Sequence, residues 1–217
     1  MSGDRQYWSL VQVGEELHAH WIYVLRRAIG LIVSTAVGVG LAGIISTLSG
    51  AYEVTISDYP APDILRTLRK NVEKNLDPQL RRSIKVEGHQ WGHLKSQFAS
   101  DKAGHFTRVL AADCLWMPHE HENLARSMLH FLSPSLEARV LVIAGFHTGR
   151  RNLVLFFEEV VPEEGLQVES IYEMDVDGRR REWSLDRGSE EEDIGERKKW
   201  LVVARLRRHS RAAEAVS

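Results

Sequence analysis

The sequence predicts an α/β domain built on a mostly parallel sheet that helices cover on both faces. First, short apolar runs alternate along the chain with longer segments whose apolar residues recur at helical spacing. Second, several apolar runs are almost unbroken, such as "RVLVIAGF" over residues 139–146, which is typical of strands buried on both faces. Third, 217 residues with 43% hydrophobic and 27% charged composition suit one globular domain.

The first element of the chain is an uncharged run over residues 28–52, for which two interpretations are open. Its length would span a bilayer, and Arg26 and Arg27 on its N-terminal side suit a cytoplasmic end. Alternatively, it contains a buried strand, a glycine turn and a buried helix in succession, because a strand buried on both faces also lacks polar residues. The alternation of strands and helices in the rest of the chain favours this second interpretation.

The elements after residue 52 follow the alternating order of a parallel sheet. Strands are predicted over residues 53–57, 84–87, 108–112, 139–146, 167–174 and 200–206, and helices over 61–75, 120–132 and 153–161. Pro62 lies in the first turn of the first of these helices, and Pro162 is expected to end the last one. A charged loop without a clear helix joins the last two strands, which predicts an antiparallel pair at the end of the sheet.

Charge and cysteine content argue against several function classes. A net charge of −2 produces no overall field that would attract nucleic acid. Cys114 is the single cysteine, so an intrachain disulfide is impossible, a cysteine-based zinc site is disfavoured, and a reducing, cytoplasmic location is expected. We expect one domain over residues 28–208, an irregular N-terminal segment over 1–27 and a disordered tail over 209–217.

Asp58 and the glycine-rich stretch before it predict a ligand site. In doubly wound sheets, ligands bind beyond the carboxyl ends of the strands, where a glycine turn lets the backbone approach them closely. The stretch "AVGVGLAG" over residues 36–43 supplies such a turn, and Asp58 ends the next strand 18 residues after Gly40. That spacing is close to the one in nucleotide-binding units, where the carboxylate accepts hydrogen bonds from ribose hydroxyls. A turn or helix cap is the alternative role for Asp58.

Five motifs resemble, in their order, those of the family-16 (seven-β-strand) methyltransferases: "TLSGAYEVTISDYP", "VEGHQWGH", "VLAADCLWMPHEHENL", "VLVIAGFHTGR" and "ERKKWLVVARL". The chain is similar to the fungal branch labelled nicotinamide N-methyltransferase-like, which includes protein methyltransferases of translation elongation factor 1-alpha. The resemblance implies a class I, Rossmann-like fold, with a doubly wound, mostly parallel seven-stranded sheet and an antiparallel C-terminal strand. It also implies S-adenosylmethionine as the cofactor and an amine as the methyl acceptor.

The resemblance assigns roles to residues at the strand ends. Asp58 matches the family's ribose-binding acid, and Trp91 matches a tryptophan that flanks the adenine, although a core aromatic is the alternative for Trp91. Ala112 and Asp113 match the end of the fourth strand, where backbone and acid face the methyl group and the incoming amine. Asp113 and Trp116 open and close a D-x-x-aromatic signature, which can orient a lysine ammonium. A helix or turn cap is the alternative for Asp113.

The glycine turn departs from the family's pattern. Ser34 stands where the family has an acid, and Ala36 stands where it has the first glycine, while Gly38 and Gly40 remain. Ala36, Gly38 and Gly40 are therefore the positions in the turn that we expect to line the cofactor. The segment before the turn is shorter than in the family, which suggests a truncated N-terminal part, and Trp21 matches the family's tryptophan there only poorly.

The favoured function is S-adenosylmethionine-dependent N-methylation of a protein amine, either a lysine or an N-terminus. The expected partner is translation elongation factor 1-alpha, and the chain is expected to be a monomer that binds neither metal nor nucleic acid. Two alternatives stay open. The departures at Ser34 and Ala36 favour a non-catalytic protein whose cofactor site has decayed, and the family label favours a small nicotinamide-like acceptor.

Three histidines complete the set of candidate residues. His119 and His121 lack the i, i+4 spacing of helical metal ligands, so a place on the loop surface or a contact with the acceptor is expected for them. His147 follows a strand at the ligand edge. It is expected either to line the acceptor pocket or to be held in its loop by local hydrogen bonds.

Overall fold

The structure is a computed structural model that describes residues 31–36, 39–187 and 194–209, with residues 31–36, 194 and 196 described by their backbone alone. Several sequence predictions fall outside these residues. They concern the N-terminal segment 1–27 with Trp21, the turn residue Gly38, and all but the first residue of the tail 209–217.

An eight-stranded mixed sheet forms the centre of the fold, with strand order β3-β2-β1-β4-β5-β8-β6-β7. The strands are β1 (Leu31–Ala36), β2 (Glu53–Asp58), β3 (Ile84–Gly88), β4 (Arg108–Ala112), β5 (Arg139–Gly145), β6 (Leu166–Asp175), β7 (Arg180–Glu182) and β8 (Trp200–Arg208). The first five in spatial order are parallel. Strand β8 is antiparallel to both of its neighbours, and β7 is antiparallel to β6. The predicted α/β fold is confirmed, with β7 added to the seven expected strands.

Helices cover both faces of this sheet. They are α1 (Leu41–Leu48), α2 (Pro62–Asn75), α3 (Gln97–Asp101), α4 (His121–Phe131), α5 (Arg150–Leu155) and α6 (Ile194–Arg197). The predictions for α2 and α4 were right to within a residue at each end. The prediction for α5 was wrong at both ends, because the helix begins at Arg150 and continues through the π segment Phe156–Val160 and the turn Val161–Glu163. Pro162 is tolerated there because it occupies the start of a new turn.

The charged segment between β6 and β8 was predicted as a loop and instead contains β7 and α6. The three-residue strand β7 forms a hairpin with β6, in which Met174 pairs with Arg180 and Tyr172 with Glu182. A sequence of charged residues gives no apolar alternation, so such a short edge strand has no sequence signal. The predicted antiparallel pairing of β6 with β8 is confirmed.

The uncharged run 28–52 contains β1 and α1, as the second interpretation predicted. Within the described part of the chain, no helix is both long and apolar enough to cross a membrane. Gly43 shows why the run contains small residues. A Cβ atom at Gly43 would lie 2.4 Å from Cγ1 of Ile56, so glycine allows α1 to pack directly on β2.

The central strands β4 and β5 contribute alternately to two hydrophobic layers. In β4, Val109 and Ala111 belong to the layer under α4 and α5, whereas Leu110 belongs to the layer under α1 and α2. All three are fully buried. Burial on both faces explains the unbroken apolar runs in the sequence.

Candidate active site

The parallel strands end together at one edge of the sheet, and the predicted site residues lie along this edge. Ala36 at the end of β1 is in register with Ala112 at the end of β4. Asp58 at the end of β2 is in register with Gly88 at the end of β3. Strand order reverses between β1 and β4, since β2 continues to one side and β5 to the other. Such a reversal opens a crevice at the carboxyl ends of the strands, where doubly wound folds bind their ligands.

The turn that leaves β1 ends at Gly40, which directly precedes α1. Gly40 has a φ of 70°, the left-handed conformation that favours glycine. A Cβ atom at Gly40 would also lie 3.0 Å from Cδ1 of Ile56, so a side chain would crowd the packing of α1 on β2. Glycine at this position therefore lets the backbone before α1 pack closely on β2.

Asp58 ends β2 as predicted and organises the turn that follows. Its Oδ1 accepts a hydrogen bond from the backbone N–H of Tyr59 at 2.7 Å, and its carbonyl accepts one from His89 N at 2.8 Å. The N-cap residue of α2 is Ala61, which makes no side-chain cap. Asp58 thus caps the turn but not the helix, and its partly exposed side chain lies at the ligand edge.

Trp91 lies in the loop after β3, partly buried against the hydrophobic layer under α4 and α5. The next residue, Gly92, has a φ of 76°, and a Cβ atom there would lie 2.4 Å from Oδ1 of Asn123 in α4. The backbone N–H of Gly92 donates to Ser127 Oγ at 2.9 Å, and Nε2 of His89 lies 3.1 Å from the same oxygen. These contacts fasten the tryptophan loop to α4.

The sequence did not predict a role for His89 and Ser127. Both are almost fully buried in the structure. Burial lowers the pKa of His89 to about 4, with smaller contributions from the nearby His130 and His93, so the imidazole is neutral at physiological pH. No sequence signal connects a histidine and a serine 38 residues apart.

Asp113 follows β4 directly and has a φ of 55°, the single positive φ outside glycine among the described residues. Its backbone N–H donates to Ile143 O at 2.7 Å, which ties it to the neighbouring strand β5. Its exposed carboxylate accepts a hydrogen bond from Gly145 N at 3.4 Å, and Nε2 of His147 lies 3.5 Å from the same Oδ1. The helix-cap alternative fails, because Met117 is the N-cap of the 3-10 helix Pro118–Glu120 and Glu120 is the N-cap of α4.

Asp113 and His147 shift each other's pKa. Partial desolvation of the Asp113 carboxyl at the strand end opposes ionisation, but the hydrogen bond and charge of His147, together with the Gly145 N–H, outweigh it and lower the pKa of Asp113. The same hydrogen bond raises the pKa of His147 above its ordinary value of 6.5. Asp113 is therefore ionised at neutral pH, as an acceptor of ammonium groups must be.

Trp116 lies on the loop between Asp113 and α4 and is 45% exposed, so its indole is available to a ligand.

His121 departs from expectation, because it is buried rather than on the surface. Its Nε2 lies 3.2 Å from Leu115 O, and its ring packs edge-on against Phe156 at 5.0 Å. Among the described residues, no group of three or more His, Cys, Asp or Glu side chains could hold a metal ion.

Residues 30–161, more than half of the chain, match the model of a family described as lysine methyltransferase. This chain belongs to that family. It is 26% identical over 159 residues to the protein N-terminal and lysine N-methyltransferase EFM7 of Gibberella zeae, covering 67% of this chain and 60% of that protein. It is 29% identical over 160 residues to EFM7 of Yarrowia lipolytica, covering 66% and 58%. The chain thus spans about three fifths of the length of these curated relatives.

Solved structures of other proteins share the fold of this family member. The CcbJ methyltransferase from Streptomyces caelestis superposes with a TM-score of 0.60 at 13% identity, covering 91% of this chain and 90% of that one. The M. jannaschii TYW2 structure, a complex with AdoMet, superposes with a TM-score of 0.54 at 12% identity, covering 91% and 77%. These likenesses confirm the class I methyltransferase fold that the sequence predicted.

The family's cofactor, S-adenosylmethionine, fits the residues at the strand ends. Gly40 keeps the position before α1 free of a side chain, Asp58 offers carboxylate oxygens to hydroxyl donors, and Trp91 offers an indole. Ala36 does not disturb this arrangement, because it still belongs to β1 and pairs regularly with Ala112. An alanine in extended backbone needs no glycine-like conformation.

Proposed function

We propose that this chain is an S-adenosylmethionine-dependent N-methyltransferase that acts on a protein amine. The observation that carries the proposal is the placement of two carboxylates, Asp58 and Asp113, at the ends of β2 and β4. They lie on either side of the β1 turn in a chain of the lysine methyltransferase family. Asp58 serves the cofactor side and Asp113 the acceptor side.

On the cofactor side, the backbone of Ala36 at the end of β1 and of Gly40 before α1 lines the cofactor, together with Ala112 at the end of β4. Asp58 accepts hydrogen bonds from ribose hydroxyls, and the indole of Trp91 covers the adenine. When bound, S-adenosylmethionine supplies a methyl group activated by its sulfonium. The task of the chain is to hold that group in line with the acceptor nitrogen and to exclude competing nucleophiles.

On the acceptor side, the ionised carboxylate of Asp113 attracts an ammonium group, and the exposed indole of Trp116 adds a surface that favours cations. The amine must lose its proton before its nitrogen can attack the methyl carbon. Asp113 holds the amine at the strand edge and orients its nitrogen while this proton leaves. Both residues are therefore assigned to the acceptor.

The relatives from Gibberella zeae and Yarrowia lipolytica are named protein N-terminal and lysine N-methyltransferases, which supports a protein substrate. We extend the proposal to translation elongation factor 1-alpha as the first candidate substrate, and to a monomeric, cytoplasmic enzyme. A nicotinamide-like small amine is the alternative acceptor. The regular pairing of Ala36 argues against a decayed, non-catalytic cofactor site.

Methyl transfer is tested with isotope-labelled S-adenosylmethionine, the purified chain and elongation factor 1-alpha, with mass spectrometry of the product. Asp113→Asn removes the charge but tolerates the left-handed backbone as well as aspartate does. We expect turnover to fall about 100-fold, since positioned carboxylates contribute about that much, while cofactor affinity stays within about twofold. Asp101→Asn, an exposed residue of α3, is the matched control.

If the labelled methyl group were found on nicotinamide and not on the protein, the small-molecule alternative would replace the protein substrate. Absence of transfer to the elongation factor, to a cell lysate and to nicotinamide would contradict the proposed activity. Equal turnover in Asp113→Asn and the wild type would contradict the assignment of Asp113 to the acceptor amine.

A further inference from the structure

The imidazole of His147 lies against the residue that we assign to the acceptor. His147 follows β5, and its Nε2 lies 3.5 Å from Oδ1 of Asp113. The side chain folds back over the end of β5, where a Cβ atom at Gly145 would lie 2.6 Å from Nε2. Glycine at position 145 thus makes room for the imidazole and also donates its N–H to the same Oδ1 at 3.4 Å.

Two charged groups act on His147 from the elements around it. Asp113 after β4 attracts the protonated imidazole, and Lys198 after α6 repels it. The attraction dominates, because the hydrogen bond to Asp113 raises the pKa of His147 despite partial desolvation and the charge of the lysine. Both side chains remain accessible, with 60% of His147 and 52% of Asp113 exposed, so a ligand can reach the pair.

An imidazolium and an alkylammonium are both cations that donate N–H groups, so they compete for one carboxylate. We propose that His147 occupies, beside Asp113, the place that the ammonium of the acceptor takes, and that the acceptor must displace it. His147 is a positioning residue in this account, because it acts through Asp113. The inference rests on the proposed function for the identity of the acceptor.

The competition gives acceptor binding a pH dependence with a definite sign. Because the pKa of His147 is raised, the imidazolium and its pairing with Asp113 persist at and somewhat above pH 6.5. As pH rises through the raised pKa, the imidazolium loses its proton and competes less for the carboxylate. The acceptor KM should therefore fall as pH rises through this interval.

Steady-state kinetics test this dependence with His147→Gln, which keeps a hydrogen-bond donor but cannot titrate. In the wild type, we expect the acceptor KM to fall about twofold to fivefold across the His147 titration, the range that measured energies of exposed ion pairs imply. In His147→Gln this step should disappear. His119→Gln, an exposed histidine on the loop before α4, is the matched control and should keep the step.

A second experiment needs no methyl transfer. The pKa of His147 is measured by NMR with n-butylammonium chloride as the probe, in the wild type and in Asp113→Asn, with S-adenosylhomocysteine present. Displacement predicts that the probe lowers the pKa of His147 in the wild type and leaves it unchanged in Asp113→Asn. A His147 pKa that does not respond to the probe, or a KM step that survives in His147→Gln, would overturn the inference. Failure of the proposed function shows separately, as absence of methyl transfer in the first assay.

Discussion

Asp113 illustrates how single residues of this site are constrained by the backbone. Its φ of 55° is a conformation that aspartate and asparagine tolerate better than other side chains. The positive φ turns the chain away from β4 at the ligand edge, while the bond from Asp113 N to Ile143 O keeps the residue fixed to β5. The carboxylate is thus presented by a rigid strand end rather than by a loose loop.

The Ser127→Ala variant tests whether the loop that carries Trp91 must be held against α4 for the cofactor to bind. Ser127→Ala leaves the partly buried N–H of Gly92 and the buried Nε2 of His89 without this partner, so we expect the free energy of unfolding to fall by about 1–3 kcal/mol. A loosened Trp91 should weaken S-adenosylhomocysteine binding by about 1 kcal/mol, about fivefold in Kd. Chemical denaturation and calorimetric titration measure the two effects.

Ser46→Ala is the matched control for Ser127→Ala. Its buried hydroxyl bonds Ala42 O within α1, so its loss should leave cofactor affinity unchanged. If Ser127→Ala lost stability but kept full affinity for S-adenosylhomocysteine, the tryptophan loop would have no part in cofactor binding.

At the scale of elements, Glu173 joins β6 to three neighbouring segments. It is fully buried and accepts hydrogen bonds from Arg150 in α5 at 2.6 Å, from Arg181 in β7 at 2.7 Å and from Arg187 at 3.1 Å. The guanidinium of Arg150 also lies 4.5 Å from the ring centre of Phe146, the residue before His147. This cluster fixes the hairpin of β6 and β7 against the β5 end of the site.

Glu173→Gln should destabilise the fold by about 3–5 kcal/mol, because it removes the buried negative charge that compensates three arginines. Burial opposes ionisation of Glu173, but its arginine partners outweigh it and lower its pKa below the ordinary 4.5. Because the pKa of Glu173 is lower in the folded than in the unfolded protein, ionised Glu173 stabilises the fold at pH values above its unfolded pKa. This stabilisation is lost as pH falls through its folded pKa. The wild type should therefore lose stability below about pH 4.5, and Glu173→Gln should lose less over that interval.

Chemical denaturation between pH 3 and 7 measures this difference, with the exposed Glu182→Gln as the control. Equal stability of Glu173→Gln and the wild type at pH 7 would contradict the role of Glu173. So would parallel pH profiles of the two proteins.

Apolar periodicity in the sequence predicted some of the helices and strands and missed others. Apolar periodicity located the central strands and the longer helices, because burial on both faces or on one stripe leaves a pattern in the sequence. It missed the five-residue α3 and the three-residue β7, which are too short to show a period. It also missed the Glu173 cluster, whose arginines stand 8, 14 and 23 residues away in the chain.

At the scale of the whole molecule, the site lies where strand order reverses, between β1 and β4. Asp58 and Asp113 could be placed at this edge from sequence, because each directly ends or follows a recognisable apolar strand. The contact between Asp113 and His147 and the fastening of the Trp91 loop to Ser127 could not. Each depends on how segments more than 30 residues apart in the chain pack together.

We propose that the crevice binds S-adenosylmethionine through Asp58. Isothermal titration of the purified chain with S-adenosylmethionine and S-adenosylhomocysteine tests it directly, with Asp58→Ala as the variant and Asp101→Ala as an exposed control. We expect micromolar binding to the wild type and to the control, and none detectable to Asp58→Ala. Folded wild-type protein that binds neither compound, or binding that survives in Asp58→Ala, would contradict it.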